Sequence, residues 1–255
     1  MNPEILIPIL VLGTFLFMLA TERIWPARQF PKIRFWTLLG LGCFVVIMAQ
    51  GAIIPALLPM DWIAKHSLLP GQKLGVAGGI LVGYPALALI AALIHRAMHH
   101  FHFLWRWVHQ LHHAPTRVDV PGSVLFHPFD MVQNTLVSVL VTVFLLGLHP
   151  LAGAWVGFVA IFYGIFQHWN VRTPAFLGYL IQRPESHCIH HQRDLHAYNY
   201  SDFPLWDMLM GTFRNPATWE GESGFEAARA GQYGRMLLGR DVNPALENGG
   251  GGKIA

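Results

Sequence analysis

Three long stretches without a charged residue constrain the fold of this chain more than any other feature. They cover residues 5–20, 35–58 and 74–94. An α-helix rises 1.5 Å per residue, so about 20 apolar residues cross the roughly 30 Å hydrocarbon layer of a bilayer. Two further apolar runs, 131–148 and 151–166, predict a helical hairpin, and the sequence leaves open whether it crosses the bilayer fully. We predict an all-α, polytopic membrane helical bundle with three long transmembrane helices plus this hairpin.

Composition agrees with a membrane protein and argues against several other classes. The chain is 53% hydrophobic and only 12% charged, whereas about 25% of residues are charged in an average soluble domain. The net charge of +3 comes from scattered basic residues, so no nucleic-acid partner is expected. The two cysteines, Cys43 and Cys188, form no metal-binding or redox motif, and Cys188 is expected to serve packing.

The basic residues predict an orientation in the membrane. Four of them crowd the loop that follows the first apolar run: Arg23, Arg28, Lys32 and Arg34. The positive-inside rule then places this loop in the cytoplasm and the N-terminus outside. The same rule puts the histidine groups that follow residue 94 on the cytoplasmic side, whereas His66 and His149 belong to the opposite side.

Histidine clustering carries the chemistry. Most of the fifteen histidines lie in three boxes, at residues 95–99, 109–113 and 187–191. The first box has i, i+4 spacing and the other two have i, i+3, i+4 spacing, which places the imidazoles of each box on one helical face. With His168, the boxes offer nine nitrogens, more than one tetrahedral zinc ion requires. A site for two metal ions is therefore predicted.

The metal and its role stay open at this level. Imidazole binds zinc, copper, nickel and iron. The sequence contains neither the Glu-x-x-His pair of carboxylate di-iron bundles nor the His-Glu-x-x-His motif of zinc proteases. A membrane metal transporter or metal sensor is one alternative, although its ligands are expected in mid-membrane. A bis-histidine haem electron carrier is another, although the first two apolar runs contain no histidine.

The order of the motifs resembles the fatty acid hydroxylase/sterol desaturase superfamily. The resemblance covers residues 84–214 and rests on His95-Arg-x-x-His99, Leu104-Trp105, His109-x-x-His112-His113, His127-Pro128, Gln167-His168-x-Asn170, Pro184-Glu185-x-His187-x-x-His190-His191, Asn199-Tyr200, Trp206-Asp207 and Gly211-Thr212-Phe213. It implies a membrane-bound non-haem di-iron oxidoreductase that uses O2 to hydroxylate or desaturate a lipid: a fatty acyl, sterol-like or other isoprenoid compound. Together with the apolar runs and the polar, glycine-rich C-terminal composition, it divides the chain into N-terminal transmembrane helices and loops (1–73), a catalytic region (74–214) and a polar, largely flexible C-terminal tail (215–255).

The resemblance also implies the ligand set and a partner. Nine histidines are expected to bind the two iron ions: His95, His99, His109, His112, His113, His168, His187, His190 and His191. Further candidates, as ligands or as their neighbours, are His127, His100, His102, Asn170 and His196. Asp194 and Asp207 are expected to orient ligand imidazoles or to form surface ion pairs. The chain lacks a dinucleotide fingerprint and iron–sulfur cysteines, so electrons are expected from an external cytochrome b5-like or ferredoxin-like protein.

Overall fold

The architecture is helical throughout the part of the chain that can be described. The computed structural model describes residues 3–195 and 197–243, the first two of them as backbone only. Within these ranges every regular element is a helix, and an isolated β-bridge joins Gln192 to Ser223. The prediction of an all-α membrane bundle is confirmed.

Three long helices correspond to the three uncharged runs. They are α1 (Pro3–Ile24), α2 (Trp36–Leu57) and α4 (Gly75–His100), with the short α3 (Met60–Lys65) between the last two. All three are long and apolar enough to cross a membrane. The 26 residues of α4 span about 39 Å, so this helix continues beyond its apolar run and carries the first histidine box at its end.

The predicted hairpin forms from α7 (Pro128–Val139), a wider π-helical segment (Leu140–Leu145) and α8 (Pro150–Phe166). Its first arm, from Pro128 to Leu145, is the fourth stretch long and apolar enough to span a membrane. α7 and α8 each begin with a proline that follows a histidine. Proline is favoured at the first helical position because the N–H that it lacks would be unpaired there.

The turn of the hairpin lies at the end of the bundle remote from the histidine boxes. The Leu68 N–H donates to the Phe144 carbonyl at 2.8 Å, and the Gly71 N–H donates to the Leu146 carbonyl at 2.9 Å. The turn therefore packs beside the loop that precedes α4, and the hairpin runs the whole length of that helix.

Small residues let α8 pack closely along α4. A Cβ atom on Gly79 would lie 2.7 Å from the Cβ of Ala152, and one on Gly83 would lie 2.9 Å from Val156. Larger side chains would push the two backbones apart. The residue numbers of the contacting pairs increase together along both helices, so α4 and α8 are parallel. His168, which follows α8, therefore emerges at the same end of the bundle as the first box.

Short helices form a cap at this end of the bundle. They are α5 (His102–Leu104), a π-helical turn (Trp105–His109), α6 (Gln110–His113), α9 (Pro184–His190) and α10 (Pro204–Met210). Segments of 3-10 helix at Gly71–Leu74, Gly122–Val124 and Ala175–Tyr179 connect the longer elements.

The residues after 215 contribute to the cap. They form α11 (Ala227–Ala230) and α12 (Tyr233–Leu237) and bury Phe225 and Met236 in one apolar cluster with Trp105. Composition favoured a largely flexible tail here, but these spaced apolar side chains anchor the segment as far as Asn243. Residues 244–255, with their glycine run, lie outside the described residues.

Candidate metal centre

Nine buried or half-buried histidines meet in two adjacent groups within the cap. Each group offers nitrogen atoms that all lie within 4.8 Å of one another. The first group has five members, His95, His99, His109, His113 and His190, and the second has four, His112, His168, His187 and His191. These are the nine residues that the sequence analysis selected as ligands.

The two longer boxes divide between the groups in complementary ways. Box 109–113 gives its i and i+4 residues to the first group and its i+3 residue to the second, whereas box 187–191 does the opposite. On a helix the i and i+4 positions are about 40° apart, while i+3 and i+4 are about 100° apart. One imidazole of each triplet therefore turns toward the other group, and the groups become neighbours.

Contacts between the rings confirm that the nitrogens converge. In the first group the Nε2 atoms of His95 and His109 are 2.9 Å apart, and those of His109 and His113 are 3.1 Å apart. In the second group the Nε2 atom of His168 lies 3.2 Å from the Nε2 atoms of both His112 and His187. The rings of His113 and His191, one from each group, stack with centroids 4.1 Å apart.

Backbone carbonyls accept a hydrogen bond from the Nδ1–H of three of the rings. The Nδ1–H of His95 donates to the Tyr200 carbonyl at 2.7 Å, and that of His190 donates to the Tyr198 carbonyl at 2.9 Å. In the second group, the Nδ1–H of His168 donates to the Gly164 carbonyl at 2.8 Å. A carbonyl can only accept, so each bond fixes the proton on Nδ1 and leaves the Nε2 lone pair directed into the group.

A carboxylate plays the same part for His109. Its Nδ1–H donates to Oδ2 of Asp130, 3.1 Å away, and the other carboxylate oxygen accepts from the Asn134 amide at 2.9 Å. Sequence reasoning missed Asp130. A signal was present, because it is a lone acidic residue in the first turn of a membrane-length apolar helix, where charged groups are costly and commonly functional.

The loop that supplies two of these carbonyls is itself held in a special conformation. Tyr198 and Asn199 adopt positive φ angles of 66° and 52°. The Asn199 amide donates to the carbonyls of Ser186 and Arg214, and its oxygen accepts from the Arg214 N–H. Asparagine tolerates the left-handed region better than most residues, so this side chain pins the loop while its neighbours' carbonyls point at the histidines.

Burial keeps the imidazoles neutral. It lowers the pKa of His109 to about 3 and that of His168 to about 4. Burial, followed by the neighbouring imidazoles, holds four further pKa values well below the usual range: those of His112, His113, His187 and His191. A neutral imidazole is the form that binds a metal ion.

The donor set fits metal ions. Because the Nδ1 atoms of His95 and His109 both carry protons, their Nε2 lone pairs face each other at 2.9 Å, which is repulsive unless a cation lies between them. Burial removes the water that could otherwise relieve this repulsion. Five nitrogens in one group and four in the other suit two ions that bind imidazole.

The secondary candidates lie outside both groups. His127 caps α7, accepting from the Phe129 N–H at 3.2 Å. His102 is half-exposed, and its Nε2 atom lies 2.8 Å from Oδ2 of Asp241. His100 is exposed, and its ring packs edge-on against the ring of Phe101. Asn170 bonds to both backbone groups of Arg28 and so fastens the loop after α1. His196 lies outside the described residues.

The two acidic candidates do not contact a ligand imidazole. Asp207 accepts from the backbone N–H groups of Tyr200 and Ser201, so it shapes the loop whose carbonyl reaches His95. Asp194 is exposed. As expected, His66 and His149 lie at the far end of the bundle and Cys188 is fully buried.

Comparison with known proteins gives a family and several relatives. The fatty acid hydroxylase family model matches residues 80–212. The ornithine lipid hydroxylase OlsE of Rhizobium tropici is 28% identical over 84% of this chain and 67% of its own length. Lathosterol oxidase of Rattus norvegicus is 31% identical over 61% of this chain and 50% of its own length. Sphinganine C4-monooxygenase 1 of Arabidopsis thaliana is 28% identical over 52% and 54%, respectively.

These alignments leave part of the relatives unmatched. The chain spans about half the length of the last two proteins and 67% of the first. No solved structure matches the chain.

Proposed function

Because this chain belongs to the fatty acid hydroxylase family, we propose that it is an integral-membrane oxidoreductase that uses O2 to hydroxylate or desaturate a lipid. The observation that carries the proposal is the pair of histidine groups, five and four imidazoles in contact across three boxes and His168. All three relatives have names that describe oxidation of lipids.

Two iron ions are proposed as the metal. When bound, they would supply the redox chemistry with O2 that no side chain can perform on an unactivated C–H bond. The first group would hold one ion and the second group the other. Asp130 and the carbonyls of Tyr198, Tyr200 and Gly164 would keep the ligand rings oriented, as hydrogen-bond partners of metal-bound histidines commonly do.

The chain itself would present the lipid and exclude water. The centre lies where α4 leaves its apolar run, so a hydrocarbon chain could remain among the membrane helices while its target carbon reaches the histidine cap. The ligand imidazoles of the second group are all buried, which limits access of water from the aqueous side.

Hydroxylation is the favoured reaction. The ornithine lipid hydroxylase, which aligns over 84% of this chain, is named for hydroxylation. Insertion of one oxygen atom from O2 into a C–H bond gives an alcohol, and the second oxygen leaves as water with two electrons and two protons. Desaturation would instead remove a second hydrogen and give an alkene. The electrons are proposed to come from a cytochrome b5-like or ferredoxin-like protein.

The histidine cap is proposed to face the cytoplasm. Arg23, Arg28, Lys32 and Arg34 lie in or beside the loop at the same end as the cap, and basic loops favour the cytoplasmic side. A soluble electron donor would then reach the centre from that side.

The proposed function can be tested by lipid analysis under 18O2. Cells that express the intact chain should contain a lipid with an 18O-labelled hydroxyl group, and this product should vanish without O2 or with His112→Ala. His66→Ala, at the far end of the bundle, is the matched control and should retain the product. A new double bond without label would assign desaturation, whereas an unchanged lipid profile would refute the proposal.

A further inference from the structure

A cavity of about 680 Å³ adjoins the histidine cap. Its wall includes the loop after α1, residues 27–31, and the turn at residues 217–223. Trp25 is exposed directly after α1, and tryptophan is enriched at membrane interfaces. The volume falls in the range of small-molecule sites.

The cavity lies against the candidate metal centre. Every segment after α4 that carries ligand histidines contributes to its wall: Thr116 follows box 109–113, Arg172 follows His168, and Glu185 and Arg193 flank box 187–191. A molecule bound in the cavity would therefore contact α9 at Glu185 and the segments that continue from the other candidate ligands.

Two arginines in the wall have hydrogen-bonding capacity to spare. Nε and NH1 of Arg28 are buried and have no hydrogen-bond partner among the described residues, and the same is true of Nε of Arg193. Glu185 forms an ion pair with NH2 of Arg28 at 3.7 Å and with NH2 of Arg183 at 3.1 Å, and it accepts from Thr173, but it makes no hydrogen bond to Nε or NH1 of Arg28. Buried N–H groups without partners are costly, and an anionic group is their best acceptor.

The rim of the cavity also carries negative charge, next to Arg193. Glu220 and Glu222 are exposed at the rim, and Glu222 also pairs with Arg193. The Trp219 ring also lines the wall, and its indole N–H donates to the side-chain oxygen of Gln192 at 3.1 Å. Carboxylates beside an aromatic face attract an ammonium group.

We propose that this cavity binds the zwitterionic head group of a lipid, with its anionic group on Arg28 and Arg193 and its ammonium group at Glu220 and Glu222. The inference rests on the proposed function, because it names the substrate class of that reaction as an amino-acid-bearing or similar zwitterionic lipid. The ornithine lipid named for one relative belongs to this class.

The test measures binding of synthetic probes to the full-length, iron-loaded protein in detergent by calorimetry. N-dodecanoyl-ornithine carries both charges, N-dodecanoyl-norvaline only the carboxylate, and the methyl ester of the first only the ammonium. The doubly charged probe should bind most tightly. Arg28→Gln should weaken the two carboxylate probes by about 10- to 100-fold, and Glu222→Gln should weaken the two ammonium probes by a smaller factor.

A matched control is Arg34→Gln, since Arg34 is an exposed arginine near the loop after α1 but outside the cavity wall. It should bind all probes like the parent. Iron content measured for each variant shows that the fold is retained.

Several results would overturn the inference. Equal binding of all three probes in all variants would exclude a head-group site, and full displacement by inorganic phosphate would indicate a simple anion site. Unchanged probe binding in Arg28→Gln together with slower donor-dependent turnover would assign the arginines to a protein partner. The proposed function fails separately: charge-selective binding with neither an 18O-labelled lipid nor a new double bond would leave the site standing and refute the reaction.

Discussion

Replacement of Asp130 by asparagine tests how the candidate metal centre is held together. Asp130 is 2% exposed and is the acidic side chain that contacts a ligand imidazole of the described structure, His109, at 3.1 Å. Asparagine keeps the size and can still bond to Asn134, but it removes the charge. It can also turn its NH2 group toward Nδ1 of His109, which would move the ring proton to Nε2 and block the lone pair that faces the group.

The expected loss follows from the hydrogen bond. A bond to a charged group contributes about 1.5–3 kcal/mol, which corresponds to a factor of about 10–150 in affinity. Loss of such partners of metal-bound histidines commonly costs about 10–100-fold in metal affinity or activity. We therefore expect Asp130→Asn to fold, to bind metal in the first group about 10–100-fold more weakly, and to form lipid product correspondingly more slowly.

The assay is metal affinity by chelator competition, with product formation measured on the same preparations. Asp241→Asn provides the control, because Asp241 forms the same kind of bond with His102 at 2.8 Å but lies outside both histidine groups. It should match the parent in both measurements. Parent-like affinity and rate in Asp130→Asn would refute the idea that this carboxylate positions a ligand.

Three further predictions address the ligands, the loop and the topology. His112→Ala should lose metal and turnover while His66→Ala keeps both, as metal analysis of matched preparations would show; equal metal content would contradict the ligand assignment. Asn199→Ala should lower the free energy of unfolding by about 2–4 kcal/mol because it leaves buried backbone groups unpaired, which thermal unfolding in detergent would detect. Lys65→Cys and Ala228→Cys, both exposed, should be labelled from opposite sides of the membrane, and labelling from one side would refute the topology.

The sequence was sufficient to predict the membrane helices and to select the nine histidines that the structure brings together. The uncharged runs are long enough to define α1, α2 and α4 without tertiary information, and box spacing places imidazoles on common helical faces. The sequence could not predict how the histidines of each box divide between the two groups, because that division depends on how α6 and α9 face each other across the cap.

The groups that hydrogen-bond to the ligand rings could not be predicted from residue types. The carbonyls that reach His95 and His190 belong to Tyr200 and Tyr198, and every residue carries such a carbonyl. What singles them out is the left-handed backbone at Tyr198 and Asn199, which the Asn199 side chain stabilises through contacts distant in sequence. Packing of Phe225 and Met236 under the cap depends on similarly distant contacts.

The central claim is that nine histidines form one centre for two iron ions, and the iron-to-protein ratio of the purified chain tests it most directly. Protein produced with sufficient iron should contain two iron atoms per chain and show no haem spectrum. A single metal ion per chain, zinc in place of iron, or a haem signal would contradict the claim.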